Sequence, residues 1–316
     1  MLVLAVVQLI AVVNHESEPY VEPGMASVPA ILRDQASRRD RTVDAYAGYG
    51  TWVDVYDFAP SFQGDGTPGV TADTVDEMVA SGVRTVYLQA AQLDSRSPGP
   101  VADPGAVAQF LVRAQRAGLR VVGWYLPRFT DLDQDMTHLT AVSDFEVLGH
   151  RFDGVAVDIE WTNGVADHAA RSEALVELSE RLRDQTGGDA LGAIVLPPVQ
   201  IEVVNPAKWP GFPWRELASS YDVWLPMGYW TERLAESGFK DGHAYTDENV
   251  RRIRTNLDDP DAPVHAIGGI GNDVTAEHAA GFVQAVEATD AIGGSIYDWA
   301  TLSADMHGHL APGLQR

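Results

Sequence analysis

The first feature of this sequence that could perform chemistry is a pair of carboxylates two residues apart. The stretch Phe152–Trp161 predicts a short buried strand, and because side chains alternate along a strand, Asp158 and Glu160 fall on one face. The other face is apolar, with Val155, Val157 and Ile159. Two acids on one face of a buried strand are costly unless a site uses them. The spacing therefore predicts a functional role for Glu160, since a close Asp raises the pKa of one of the two groups and suits it to donate a proton.

The elements that must position these acids follow a regular alternation of strands and helices. Strands are predicted at 52–58, 83–90, 119–126, 152–161, 190–196, 221–230, 264–269 and 292–299. Eight strands alternating with helices over about 250 residues predict an α/β fold, a single-domain (β/α)8 TIM barrel. Asp158 and Glu160 then end strand four, at the face where barrel enzymes carry their sites.

Composition assigns the remaining segments and excludes several function classes. We expect a signal-like or anchor segment at 1–13, a linker at 14–47, the barrel at 48–303 and a C-terminal tail at 304–316. The apolar N-terminus predicts a secreted or cell-surface protein. A formal net charge of -23 disfavours nucleic acid as a partner, and no segment beyond that N-terminus looks membrane-spanning. We expect a monomer.

The residue types give little support for a metal site or for a side chain that acts as nucleophile. The chain has no cysteine, its histidines are scattered, and the loop after the first strand is not a G-x-G-x-x-G nucleotide motif. We therefore predict no metal and no cofactor, although carboxylates alone can hold a hard cation.

The predicted strand ends combine aromatic rings with carboxylates. Such a surface suits sugars, which present apolar C–H faces and hydroxyl edges, so a carbohydrate substrate is expected. The candidate substrate-binding residues are Tyr56, Tyr125, Trp161, Tyr229, Trp230, Asp298 and Trp299. Asp153 is expected to be structural, fixing the start of strand four together with Gly154.

Three of these strands resemble motifs of family 18 glycoside hydrolases, the chitinase and endo-β-N-acetylglucosaminidase group. The family's fourth strand reads D-G-x-D-x-D-x-E, and here it reads Asp153-Gly154-Val155-Ala156-Val157-Asp158-Ile159-Glu160, with Ala156 at the middle acid. The M-x-Y-D of its sixth strand compares with Met227-Gly228-Tyr229-Trp230. Its eighth strand carries Gly-Gly before a tryptophan, which compares with Gly293-Gly294 before Asp298-Trp299.

The resemblance implies a distant relative that hydrolyses a glycan with Glu160 as general acid and base. Asp158 would orient the N-acetyl group of the substrate, whose carbonyl oxygen is the nucleophile, and Tyr229 would hydrogen-bond the same group. Trp299 would stack under the sugar.

Two alternatives stay open. Because Ala156 removes one family acid, a second carboxylate from another strand, Asp298 or Asp273, could serve as nucleophile or base in a retaining or inverting glycosidase that needs no N-acetyl group. A barrel that binds carbohydrate without cleaving it is the other alternative.

Overall fold

The barrel is described by a computed structural model that covers residues 39–64 and 66–315. The predicted signal-like segment 1–13 and most of the predicted linker, 14–38, lie outside the described residues. Within the described part of the chain, no helix is both long and apolar enough to cross a bilayer.

Eight parallel strands form the barrel and confirm the predicted (β/α)8 fold. They are β1 Gly48–Val53, β2 Thr85–Gln89, β3 Arg120–Tyr125, β4 Gly154–Ile159, β5 Leu191–Val195, β6 Val223–Pro226, β7 His265–Ile270 and β8 Gly293–Tyr297. They pair in the order β6-β5-β4-β3-β2-β1-β8-β7. Parallel bridges from Trp224 to Val264 and from Met227 to Ile267 link β6 with β7 and close the ring.

A helix follows each strand and covers the outside of the ring. The helices are α1 Val75–Ala80, α2 Pro104–Arg116, α3 Leu132–Ser143, α4 His168–Thr186, α5 Trp214–Leu217, α6 Gly242–Leu257, α7 Ala276–Ala288 and α8 His307–Leu314. Four begin at an aspartate whose side chain accepts a backbone N–H of the first turn: Asp103, Asp131, Asp167 and Asp241. Part of the acidity thus stabilises the positive ends of helices.

Aromatic rings fill the inside of the barrel. Trp52 stacks on Tyr87 with ring centroids 4.3 Å apart, and the edge of Trp124 meets Trp52 at 6.0 Å. Trp124 is the register partner of Ala156, so their side chains share the inner face of adjacent strands. A small residue at 156 fits an interior of fixed volume that these large rings already occupy.

The base of the barrel is closed by residues that the sequence assigned to the linker. Val43–Tyr46 form a turn of 3-10 helix, and the fully buried Tyr46 hydroxyl donates to the carbonyl of Val155 at 2.8 Å. Arg41 is also buried, and its Nε donates to the carbonyl of Phe152 at 3.0 Å. The linker prediction is therefore wrong for residues 39–47, because these side chains satisfy backbone groups at the start of β4.

Two other boundaries also differ from the prediction. The tail at 304–316 contains α8, whose buried His307 accepts or donates a 2.7 Å hydrogen bond with the hydroxyl of Tyr49. The first strand ends at Val53, because Asp54 caps a helical turn at Val55–Phe58. Asp153 is structural as predicted: its buried carboxylate accepts the backbone N–H of Val121 at 2.9 Å.

Candidate active site

Asp158 and Glu160 meet at the carboxyl end of β4. A side chain on Gly154, two positions before Ala156, would touch the Tyr46 hydroxyl at the barrel base, so the even positions of β4 face inward. Asp158 is only 6% exposed, and Glu160 lies one residue beyond the strand and is half-buried. The inner acid is therefore sealed in the barrel, and the outer one reaches the mouth.

Burial dominates the acid–base properties of this pair. It raises the pKa of Asp158 well above its ordinary value, and the neighbouring Glu160 charge raises it further. Burial also raises the pKa of Glu160, while the positive charge of Lys208 lowers it. The two carboxyls titrate as a pair, so one proton is retained between them to higher pH than an isolated Asp or Glu would allow. That is the requirement for a general acid.

Tyr229 lies among the carboxylates of the mouth. Burial raises the pKa of its phenol well above the ordinary value. Three negative charges raise it further, those of Asp158, Glu160 and Asp298. The phenol thus stays protonated and can donate a hydrogen bond, while its role in substrate binding stays a prediction.

Tyr297 is a site residue that the sequence did not reveal. It ends β8 on the inner face, in the same orientation as Ser295, whose hydroxyl accepts the indole N–H of Trp52 at 2.8 Å. Its ring lies 5.8 Å from that of Tyr229, and its hydroxyl donates to Oδ2 of Asp54 at 2.9 Å. Tyr297 therefore connects β1, β6 and β8 at the mouth.

Three further carboxylates gather on the β1 and β8 side of the mouth. Asp54, Asp57 and Asp298 bring ligand oxygens within 4.8 Å of one another, a spacing that suits a hard cation. Burial raises the pKa of Asp57 to about 7, and the charges of Asp54 and Asp298 add to the effect. Asp298 is itself held by Thr301, whose backbone N–H and hydroxyl donate to Oδ1 at 3.0 and 2.8 Å. The absence of a metal from the mechanism stays a prediction.

Two inner-face polar atoms have no hydrogen-bond partner among the described residues. One is the acceptor Oδ1 of Asp158, and the other is the donor Nε1 of Trp124 on the adjacent strand. Burying a polar atom without a partner costs about 1–3 kcal/mol. Such atoms are uncommon in folded proteins, and each requires an explanation.

Of the other predicted substrate-binding residues, three have rings that pack against residues of the outer helices. Tyr125 points outward, stacks on His138 of α3 at 4.9 Å and donates to buried Asp135 at 2.7 Å. Trp230 is fully buried against Phe282 of α7, at 5.4 Å. Trp299 packs on His307 of α8 at 4.8 Å. The structure thus gives these three rings a packing role outside the barrel.

The remaining predicted residues lie on loops at the rim. Tyr56 is 50% exposed, and its backbone N–H donates to Asp54. Trp161 is half-buried beneath the guanidinium of Arg128, 5.1 Å from its ring centroid. Asp273 is exposed in the loop after β7. Tyr56 and Trp161 thus lie on rim loops, and no contact in the described part of the chain joins Asp273 to the acid pair.

Comparisons with known proteins support the fold. No family model and no curated protein matches this sequence. Among solved structures, the endo-1,4-beta-mannanase of Rhizomucor miehei is 12% identical with a TM-score of 0.61, covering 89% of this chain and 98% of its own. The C-terminal domain of a putative chitinase from Desulfitobacterium hafniense DCB-2 is 11% identical, with a TM-score of 0.59 over 85% and 98%.

A chitinase of family 18 from Pseudoalteromonas aurantia is 12% identical, with a TM-score of 0.56 over 85% of this chain and all of its own. Family 18 is thus one of several groups with this barrel. At such identities the similarities show the fold, and the site must be argued from its own residues.

Proposed function

We propose that this protein is a glycoside hydrolase that cleaves a glycan containing N-acetylhexosamine, with Glu160 as general acid and base. Asp158 orients the N-acetyl group, and Tyr229 donates a hydrogen bond to it. The proposal extends the resemblance of β4 and β6 to family 18 glycoside hydrolases, and the mannanase and chitinases of similar fold support a carbohydrate substrate.

The observation that carries the proposal is the pair of unpartnered atoms on the inner face. Asp158 offers a buried acceptor, and Trp124 on the next strand offers a buried donor. An N-acetyl group has the complementary pair, an amide N–H and a carbonyl oxygen. Binding such a group would give each buried atom a partner and recover its desolvation cost.

The proposed reaction uses the raised proton affinity of the acid pair. Glu160 donates its proton to the glycosidic oxygen as the bond from that oxygen to the anomeric carbon breaks. The acetamido carbonyl oxygen attacks the anomeric carbon and forms a cyclic oxazolinium ion, while Asp158 accepts the amide N–H. Glu160 then removes a proton from water, the water oxygen attacks the anomeric carbon, and the ring opens to the hydrolysed sugar with retained configuration.

The ring of Tyr297 replaces Trp299 as the proposed platform for the sugar. Tyr297 is the inward residue at the end of β8, whereas Trp299 packs against α8. A phenol ring offers an apolar face to the C–H groups of a pyranose.

A second-carboxylate mechanism is the alternative, and Asp298 is its candidate. Asp298 shares the electrostatic environment of Tyr229 with the acid pair, whereas Asp273 is exposed. In this alternative Asp298 attacks the sugar directly or activates water, and the N-acetyl group is not required. The configuration of the first product, read by NMR, separates inversion from retention, and loss of activity in Asp298→Asn with an unaffected Asp158→Asn would favour this route.

Hydrolysis of a glycan panel tests the proposal. Wild type should release reducing ends from a substrate rich in N-acetylhexosamine, and Glu160→Gln should lose at least about 10²-fold in kcat while still binding sugar. Glu287→Gln, which changes an exposed glutamate of α7, is the matched control and should keep full activity. Calorimetric binding without any product over long incubation would instead favour a non-catalytic sugar-binding barrel. We further propose that the protein acts outside the cell, where a signal-like segment 1–13 would direct it; fractionation of the producing cells tests this.

A further inference from the structure

Lys208 is a positive charge at the mouth that the proposed chemistry has not used. Lys208 and Lys240 are the lysines of this chain. Lys208 lies in the loop between β5 and α5, beyond the π-helical turn Val199–Val204, and is half-buried. Among the described residues, no carboxylate lies within the 4.0 Å of an ion pair from its ammonium, and no side-chain hydrogen bond is formed. Its positive charge can therefore act on a neighbouring carboxyl only through space.

Buried Arg171 of α4 fixes the position of this loop. One guanidinium nitrogen donates to the carbonyl of Thr162 at 3.2 Å, and the other donates to the carbonyl of Lys208 at 3.0 Å. Thr162 is two residues beyond Glu160. The same guanidinium therefore joins the backbone that follows the general acid to the backbone that carries Lys208.

The Arg171 guanidinium and the two carbonyls that it binds, those of Thr162 and Lys208, form a unit that we call the Arg171 clamp. A second contact makes this clamp more rigid. The Arg171 guanidinium lies 4.1 Å from the ring centroid of Trp209, the residue after Lys208. The Trp209 indole is buried, and its N–H donates to Ser172 on α4 at 3.0 Å. Fixed on both sides, the loop holds the Lys208 backbone close to the end of β4.

The charged and titratable groups that face Glu160 come from three elements. Asp158 lies on β4, Tyr229 follows β6, and Lys208 belongs to the loop after β5. Asp158 is a carboxylic acid and Tyr229 is a neutral phenol, so neither can stabilise the negative charge of Glu160 with a positive one. Lys208 is the positively charged group that lowers the pKa of Glu160. The Lys208 ammonium lies beyond ion-pair distance of Glu160. It therefore favours the carboxylate form of Glu160 through space, and Glu160 can still bind a proton.

We propose that Lys208 is a positioning residue of the active site: carried by the Arg171 clamp, its ammonium is the charge partner of the Glu160 carboxyl across the mouth. The catalytic role of Lys208 rests on the proposed function. In that function Glu160 acts first as an acid and then as a base, so both of its protonation states must be accessible. Lys208 favours the base state after proton donation, when the carboxylate must activate water.

The pairing is tested in the free full-length protein by following the carboxyl carbon of Glu160 by NMR across a pH titration. Lys208→Met removes the charge and keeps most of the chain length, so the Glu160 midpoint should move to higher pH. Lys208→Arg should keep the wild-type midpoint, as should Lys240→Met, which removes an exposed lysine. Arg171→Met should move the midpoint in the same direction as Lys208→Met.

An unchanged Glu160 midpoint in Lys208→Met overturns the proposal, whether or not Arg171→Met folds. The titration needs no substrate, so the result stands even if no glycan is hydrolysed and the proposed function fails. Where hydrolysis is observed, the alkaline limb of kcat/KM should also move to higher pH in Lys208→Met, which a merely structural loop residue would not cause. If the alkaline limb of kcat/KM keeps its pH in Lys208→Met and only KM changes, Lys208 does not act through Glu160.

Discussion

The hydroxyl of Tyr297 donates a 2.9 Å hydrogen bond to Oδ2 of Asp54, and this bond joins the last strand of the barrel to the first at the mouth. Burial raises the pKa of Asp54, and the bond from Tyr297 opposes that rise. The same ring packs 5.8 Å from Tyr229. A structural contact between two terminal strands thus also fixes a ring that packs beside Tyr229.

Replacing Tyr297 by Phe should remove the bond and keep the ring. We expect the free energy of unfolding to fall by about 1–2 kcal/mol, because a half-buried carboxylate loses a donor. The value of kcat/KM should fall several-fold as Tyr229 loses its fixed neighbour. Urea denaturation measures the first effect. Tyr245→Phe is the control, since that buried hydroxyl has no geometric hydrogen bond among the described residues; an equal loss in both variants would show that the Asp54 bond contributes nothing.

Replacing Asp158 by Asn should separate catalysis from stability. We expect kcat to fall by about 10²–10³-fold, because the Asn amide cannot ionise to balance the positive charge of the oxazolinium ion. The free energy of unfolding should not fall, since the amide is nearly isosteric and avoids the burial that raises the pKa of this carboxyl. Denaturation and steady-state rates measure the two effects. A thiazoline mimic of the cyclic intermediate should inhibit wild type; no inhibition would favour the mechanism through Asp298.

Replacing Trp124 by Phe tests the unpartnered indole N–H. We expect KM for an N-acetylated substrate to rise, while binding of a matched sugar without the acetyl group stays unchanged. Trp52→Phe is the comparison, because its N–H donates to Ser295 at 2.8 Å and its loss should cost about 1 kcal/mol more in stability than the loss at Trp124. Calorimetry with the two sugars reads the result, and equal effects on both would remove Trp124 from acetamide recognition.

The buried His265 should make the protein sensitive to acid. Burial lowers its pKa to about 4, and its two nitrogens contact the carbonyl of Tyr46 and the hydroxyl of Ser295. An unfolded histidine binds its proton near pH 6.5, so between 6.5 and 4 the unfolded chain holds more protons and stability falls as pH falls.

From pH 7 to pH 5 this group should remove about 2 kcal/mol from the free energy of unfolding. His265→Asn removes the titration and offers an amide donor to the Tyr46 carbonyl. Urea denaturation at both values should show a smaller loss in the variant than in wild type. If the losses are equal, His265 is not the group that titrates.

The sequence is most informative about strand orientation where polar residues occur in an otherwise apolar strand. On β4 the two acids reveal which positions face inward, and the structure agrees. On β3 no such marker exists, because strands buried on both faces have no alternating pattern. The sequence therefore does not show that Trp124, rather than Tyr125, faces the interior.

The same ambiguity explains Trp299, which lies two residues beyond the strand end, and Tyr297, which occupies the inward position. The sequence does not identify Lys208 and Arg171 as a unit, because their contact depends on the packing of helix α4 against a loop 37 residues further along the chain. The eight-strand count was predictable since turn residues separate every element.

The closed base of the barrel sets where the folding unit starts, with a practical consequence for recombinant work. A protein trimmed to begin at Gly48 would lose Tyr46 and Arg41 and would leave the carbonyls of Val155 and Phe152 without their donors. His265 would also lose its contact with the Tyr46 carbonyl. The shortest version that keeps the base intact should therefore retain the chain from Arg39 onward, although the first strand predicted from the sequence begins thirteen residues later, at Trp52.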